Sequence, residues 1–247
     1  MHSESTLHSS PVQYNYLGDH AIVLSINTSL STNSILQIKK TTVACYALKS
    51  IYTWIKDIIP AYQTITIVFD VTGYYQSEKM EPLLFFKKEL PSFIEKENAK
   101  PPVDEKTTLL QIPVCYDPQF GIDLAALAAY TKQSIETIIE LHHREIYTVY
   151  CIGFMPGFAY MGKVPEAIQM PRHATPRPKV FSGSVGIAGP QTGIYPMDSP
   201  GGWQIIGKTP LPIFDPHPSK LALLKTGDQV QFYPISVKEL TSFKGTH

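Results

Sequence analysis

Hydrophobic positions divide this chain into two differently patterned halves. In residues 62–70, YQTITIVFD, Ile65, Ile67 and Phe69 alternate with polar positions, the period of a half-buried strand. Residues 20–26 form a second, shorter strand candidate. Residues 33–59 carry Ile35, Ile38, Ile51, Ile55 and Ile58 at near-helical spacing, with Lys39, Lys40, Lys49 and Lys56 between them. That spacing predicts one long or two broken amphipathic helices, ended by Pro60. Residues 83–96 predict a further helix, broken at Pro91. Strand and helix segments alternating within about a hundred residues imply a small α+β sandwich.

Beyond a polar stretch with a Pro-Pro pair at residues 97–106, the best linker in the chain, the pattern changes. Residues 107–116 are apolar and β-like. Residues 123–130 and 134–143 predict short helices with Asp123 and Ser134 as N-caps, and residues 146–152 predict a strand. Residues 221–224 and 229–233 predict closing strands joined by a Lys-Thr-Gly-Asp turn. Between them, residues 153–218 hold 22 of the chain's 36 glycines and prolines. A helix tolerates that density badly, so this stretch predicts turns, short strands and fixed loops. The organisation expected is an α+β N-terminal domain, residues 1–104, followed by a mainly-β domain, residues 105–247, of barrel or sandwich type.

Composition narrows the function classes. The 247 residues are 43% apolar and 17% charged, with 21 basic and 21 acidic side chains. Zero net charge argues against a nucleic-acid binder and leaves little electrostatic barrier to a protein partner. No apolar run reaches the roughly 18 residues of a membrane span. Residues 1–11, MHSESTLHSSP, lack an apolar signal core and read as a frayed tail. Cys45, Cys115 and Cys151 are too widely spaced for a disulfide framework or a zinc site, and suggest reduced thiols in a cytoplasmic protein.

Candidate chemistry concentrates in the Gly/Pro-rich stretch. In GFMPGFAYMG, residues 153–162, Gly153, Pro156 and Gly157 shape a loop around Phe154, Phe158 and Tyr160. MPRHATPRPK, residues 170–179, stiffens Arg172, His173, Arg177 and Lys179 with three prolines, which suits recognition of a carboxylate or phosphate. From Val180 to Gly207 only Asp198 is charged, yet Gln191, Tyr195, Trp203 and Gln204 are interleaved with Gly193, Gly201 and Gly202. Such a segment lets a ligand or partner approach the backbone closely. Each piece alone has a plainer reading: core aromatics in a tight turn, surface ion pairs, and helix-end electrostatics for His142 and His143. Their density favours a shaped site. There is no GxxxxGK[ST], GxSxG or HExxH segment, and the pair of short helices lacks the basic residues of a DNA reader.

Read together, these segments resemble one family: the KipI-type proteins, or allophanate hydrolase subunit 1 family, which includes the 5-oxoprolinase component PxpB. The resemblance rests on GDHAIVL, IPAYQTITIVFD, IPVCYDPQFGIDLAALA, LHHREIYTVYCIGFMPGFAYMG, PRHATPRPKV, GSVGIAGPQTGIYPMDSPGGWQIIGKTP and PIFDP. It extends from about Tyr14 to Tyr233 and is most specific from His142 to Pro216. The chain departs from the family's usual residues at Met161, Pro190 and His173. The resemblance implies a cyclophilin-like β-barrel in the C-terminal domain, without prolyl isomerase activity. It implies a non-autonomous subunit of an ATP-dependent 5-oxoprolinase that opens 5-oxoproline to glutamate. Its partners would be a KipA/PxpC-like subunit (allophanate hydrolase subunit 2) and a LamB/YcsF-type PxpA subunit, with ATP used by the assembled complex. The alternative is an inhibitor of a sensor histidine kinase acting through the C-terminal domain. On the enzyme reading, Arg172 and Arg177 bind anions, His142 transfers or orients a proton, and Gln191, Tyr195 and Trp203 shape the pocket. For all six, packing against the second subunit is the competing explanation.

Overall fold

The computed structural model describes residues 12–26, 32–100, 109–217 and 221–243. The tail expected at residues 1–11 and residues 101–106 of the expected linker lie outside them. The chain divides into two compact units, Met1–Glu105 and Lys106–His247.

The first unit is a four-stranded antiparallel sheet in the order β1 (Val12–Tyr16), β2 (Ala21–Ile26), β4 (Thr64–Phe69), β3 (Ile55–Pro60). Its helices are α1 (Thr32–Ile51), α2 (Val71–Ser77) and α3 (Pro82–Ala99). Strand β4 buries Ile65, Ile67 and Phe69, as its alternation requires, against Cys45 and Leu48 of α1 and Phe86 and Leu90 of α3. Trp54 centres an aromatic cluster, 4.8 Å from Tyr74 and 5.2 Å from Phe85 in edge-on contacts.

Three expectations are corrected here. Residues 55–60 are a strand, not a helix. The register of β3 against β4 shifts between Ile55 and Asp57, so Ile55 and Ile58 both face inward although three residues apart. One bulge thus reproduces helical spacing in a strand. Pro91 does not break α3, which runs through it. The proline is exposed, while buried Leu90 and the packed Phe93 and Ile94 hold the helix to the core. Helix α3 also extends through residues 97–99, which the sequence pattern assigns to the linker.

The second unit is a seven-stranded sheet that nearly closes into a barrel, in the order β12 (Gln204–Lys208), β9 (Ser184–Ala188), β10 (Gln191–Ile194), β7 (Ala159–Gly162), β6 (Ile146–Ile152), β13 (Gln229–Pro234), β5 (Leu109–Val114). All neighbours run antiparallel except β13 and β5. The seam between edge strands β12 and β5 is bonded at Cys115 and Lys208, whose N–H groups and carbonyls exchange hydrogen bonds of 2.8 and 3.0 Å. Helices α4 (Leu124–Thr131) and α5 (Ile135–Arg144) add Leu124, Leu127 and Ile138 to a core of inward residues such as Met161, Ile187, Ile194 and Phe232. Ser134 caps α5 through the N–H of Thr137, at 3.1 Å. Residues 221–224 are not a strand; a single bridge, Ala222 to Phe214, is all they form. A last helix, α6 (Val237–Ser242), carries a capping box from Ser236 and Glu239. Among the described residues, no helix is long and apolar enough to cross a membrane, and no cluster of His, Cys, Asp or Glu could hold a metal ion.

Candidate functional site

Alternation along β10 separates two environments. Thr192 and Ile194 point into the barrel; Gly193 lies against the opposite face, beneath an aromatic layer. A Cβ on Gly193 would stand 3.0 Å from Phe158 Cζ and 3.2 Å from Trp203 Cζ3, so only glycine lets these rings lie directly on the strand. Phe158 meets Trp203 at 5.3 Å and Tyr195 at 5.4 Å, both edge-on, and Tyr160 lies 5.9 Å from Trp203. Val180 and Ile205 complete this small core. Burial raises the Tyr195 pKa, an effect that the nearby Trp203 backbone opposes. Gly201 lies against the Tyr195 ring with no room for a side chain.

The proline-stiffened segment, residues 170–179, crosses this region and ends in β8 (Arg177–Val180), which pairs with β11 (Ser199–Gly201). Three hydrogen bonds tie its first half down: His173 N–H to Gly202 O at 2.7 Å, Gly189 N–H to Met170 O at 2.8 Å, and Gln204 Nε2 to Pro171 O at 2.7 Å. Arg177 turns inward. Its Nη2 donates to Asp123 Oδ1 at 2.5 Å, and Nη1 reaches the Trp203 carbonyl at 3.4 Å. Arg172 is exposed, close enough to Tyr160 to act electrostatically on its hydroxyl, and makes no ion pair or hydrogen bond among the described residues.

Asp123 is the residue that sequence reasoning placed but misread. It stands at the N-terminus of α4, yet its carboxylate does not cap the helix. Oδ2 accepts from Ile205 N–H at 2.6 Å, while the Asp123 N–H donates to Ile205 O at 2.9 Å. Asp123 thus pairs with the free edge of β12 where the barrel seam opens, and is only 4% exposed. Gly121 permits this approach, since a Cβ there would stand 2.5 Å from Ile206 O. The missed signal was local: an acid at the start of a helix, two residues after a glycine, reads as a cap and says nothing of a partner 54 residues on.

The structure therefore brings Arg177, Tyr195, Trp203, Phe158, Gly193, Gly201 and Gly202 together, with Arg172 at their margin beside Tyr160. Gln191 opens β10 opposite Gly162, at the far end of that strand from Tyr195. In the 153–158 loop, Pro156 is exposed, the Gly153 N–H bonds the Phe158 carbonyl at 3.1 Å, and Gly157, at φ +81°, abuts Phe214. Phe154 is 64% exposed. His142 stands apart. Its ring is sealed in the barrel core, stacked 4.8 Å from Phe232. The Thr192 hydroxyl donates to Gly186 O at 3.0 Å, so it accepts from Nε2–H of His142, also at 3.0 Å. Nδ1 is then left to accept from the Tyr116 hydroxyl at 2.8 Å. Burial, helped by the neighbouring His143, lowers the His142 pKa from 6.5 to about 3, so the ring is neutral. Cys45, Cys115 and Cys151 are free thiols.

Residues 12–224 match the family model for the carboxyltransferase domain, subdomain C and D. The 5-oxoprolinase B subunit of Bacillus subtilis (strain 168) is 35% identical over 94% of this chain and 96% of its own length. That of Escherichia coli O157:H7 is 47% identical over 53% of this chain and 61% of its own. The crystal structure of TTHA0988 superposes with a TM-score of 0.69 at 30% identity, covering 87% of this chain but 40% of the TTHA0988 chain. The Kluyveromyces lactis urea carboxylase shares the fold, with a TM-score of 0.68 at 18% identity over 93% of this chain and 22% of that one. The chain belongs to the carboxyltransferase-domain subdomain C and D family, among the KipI-type (PxpB) proteins of 5-oxoprolinase.

Proposed function

We propose that this chain is the PxpB component of an ATP-dependent 5-oxoprolinase complex that opens 5-oxoproline to glutamate. The similarity to the Bacillus subtilis 5-oxoprolinase component, over nearly the whole of both chains, carries this reading. Its partners are a KipA/PxpC-like subunit and a LamB/YcsF-type PxpA subunit, in the cytoplasm; its two units are the two domains of the family, the second a cyclophilin-like barrel. A lactam carbonyl is a poor electrophile. ATP would supply a phosphoryl group to the lactam oxygen; one water adds to the ring carbon, the C–N bond breaks as the nitrogen takes a proton, and a second water releases the phosphate from the acyl phosphate to leave glutamate. This chain's contribution is electrostatic and steric. Arg172, exposed and uncompensated beside Tyr160, suits a carboxylate or phosphate. The buried, edge-on Phe158–Trp203–Tyr195 layer packs behind Tyr160 and supports it. His142, sealed and neutral, serves the barrel and does not reach a ligand at this surface. None of the relatives described above is named a kinase inhibitor.

The test is reconstitution of this chain with the two partner subunits. ATP hydrolysis that requires 5-oxoproline, releases glutamate and is lost when this chain is left out supports the reading. Equal activity without this chain, or none with all three subunits, overturns it; inhibition of a sensor kinase in the same preparation would favour the alternative.

A further inference from the structure

The Asp123 carboxylate is one of the few buried charges among the described residues of the second unit, and it does more than close the seam. One oxygen holds the edge of β12; the other holds Arg177 at 2.5 Å and faces His173 Nε2 at 3.5 Å. Arg177 in turn touches the Trp203 carbonyl, and His173 is fixed by its N–H to Gly202 O, one residue before Trp203. Asp123 therefore holds the 170–179 segment at Arg177 and stands close to His173 on the other side of Pro176, and both residues lead to Trp203. Arg172 lies one residue from one of them. The grip is not fully satisfied. His173 Nε2 and the Oε1 of Gln204, a residue only 1% exposed, are buried without a hydrogen-bond partner among the described residues. Buried polar atoms left without a protein partner cost stability.

We propose that Asp123 is the positioning residue of this site. Through Arg177 it holds the 170–179 segment so that Arg172 stands exposed beside Tyr160, at the margin of the layer that contains Trp203, where it meets an anionic ligand, a carboxylate or a phosphate. Arg177 is spent on Asp123 and acts on the ligand only through that segment; Arg172 is the direct contact. The assignment of a ligand at this face rests on the functional reading above, but the positioning itself can be read without ligand.

The chain has two tryptophans, so 5-fluorotryptophan labelling of the full chain gives one 19F resonance from Trp203 and one from Trp54, assigned with Trp203→Phe. In Asp123→Asn, which keeps the shape and the acceptor for Ile205, the Trp203 resonance shifts and its H2O/D2O solvent effect rises several-fold, while Trp54 stays put. Arg177→Gln does the same, and the double variant goes no further than either single one. A Trp203 signal unmoved in Asp123→Asn while the thermal midpoint falls, or single effects that add, overturns the proposal by leaving Asp123 a seam residue alone. Should Asp123→Asn not fold, Arg177→Lys against Arg177→Gln carries the test. Lysine keeps the ion pair and restores the wild-type Trp203 signal; equal shifts in both overturn the proposal. In the assembled complex, Asp123→Asn raises KM about tenfold with a smaller change in kcat, and adds nothing to Arg172→Gln. A rise in KM for 5-oxoproline alone identifies a carboxylate, and a rise for ATP alone identifies a phosphate. Unchanged KM for both overturns the proposal. A wild-type complex without activity strikes the functional reading and leaves the tryptophan result standing.

Discussion

Two buried polar clusters in the second unit solve the same electrostatic problem in opposite ways. Inside the barrel, Tyr116, His142, Thr192 and the Gly186 carbonyl form a directed chain in which every proton has one acceptor. At the seam, Asp123 and Arg177 form a charged pair beside His173, whose Nε2 has no hydrogen-bond partner among the described residues. The first has no face to solvent, since His142, Tyr116 and Thr192 are all buried. The second borders the surface, because Arg177 and His173 each keep more than a quarter of their side chains exposed, although His173 Nε2 itself is buried. A fully satisfied, sealed network supports the barrel; a buried carboxylate joined to partly exposed side chains links the core to the surface.

The largest effect that separates them is His142→Ala. It strands the Tyr116 and Thr192 hydroxyls and removes a ring stacked on Phe232. The expected loss is about 4 kcal/mol of unfolding free energy, read by chemical denaturation. A loss below about 1 kcal/mol would mean that the chain is not the barrel's internal support.

The same ring makes stability depend on pH. Unfolded, it binds a proton near 6.5; folded, only near about 3. Between those values the unfolded chain carries the extra proton. The stabilisation is therefore whole above about 6.5 and is lost as the pH falls toward 3, by at most about 1.4 kcal/mol per pH unit. Carboxylates titrate in the same window, so the measurement is the difference between wild type and His142→Gln in denaturation series from pH 7 to pH 4. Parallel curves would show that His142 is not the group responsible.

What the sequence disclosed follows from the range of each interaction. Strand β4 was legible because its alternation is local and complete. Strand β3 was not, because a bulge set by pairing with β4 placed Ile55 and Ile58 on one face at a helix-like interval. Pro91 misled for a related reason: tertiary packing on both sides of it outweighs a local helix-breaking preference. The aromatic layer was legible as a density of Gly, Trp, Tyr and Phe. The role of Asp123 was not, because its partners, Arg177 and Ile205, come from β8 and β12, and only barrel closure brings those strands to the N-terminus of α4. His142 drew attention as a histidine beside a helix end; the helix phase that turns it into the core also takes it out of reach.

The smallest expected effect on the fold is the sharpest one for the site. Arg172 is exposed and makes no ion pair or hydrogen bond among the described residues, so Arg172→Gln removes no described native interaction. Its unfolding free energy is expected to stay within about 0.5 kcal/mol of wild type. Glutamine keeps a long polar side chain while removing the charge. If the outer face takes an anion, 5-oxoproline-dependent turnover in the assembled complex falls several-fold, and added salt weakens the wild type more than the variant, since screening acts on a charge that only the wild type has. A variant as active and as salt-sensitive as wild type would move the ligand elsewhere and leave the aromatic layer as packing. Loss of both stability and turnover would show instead that Arg172 supports the fold, and the contrast between a sealed cluster and an open one would no longer identify the functional face.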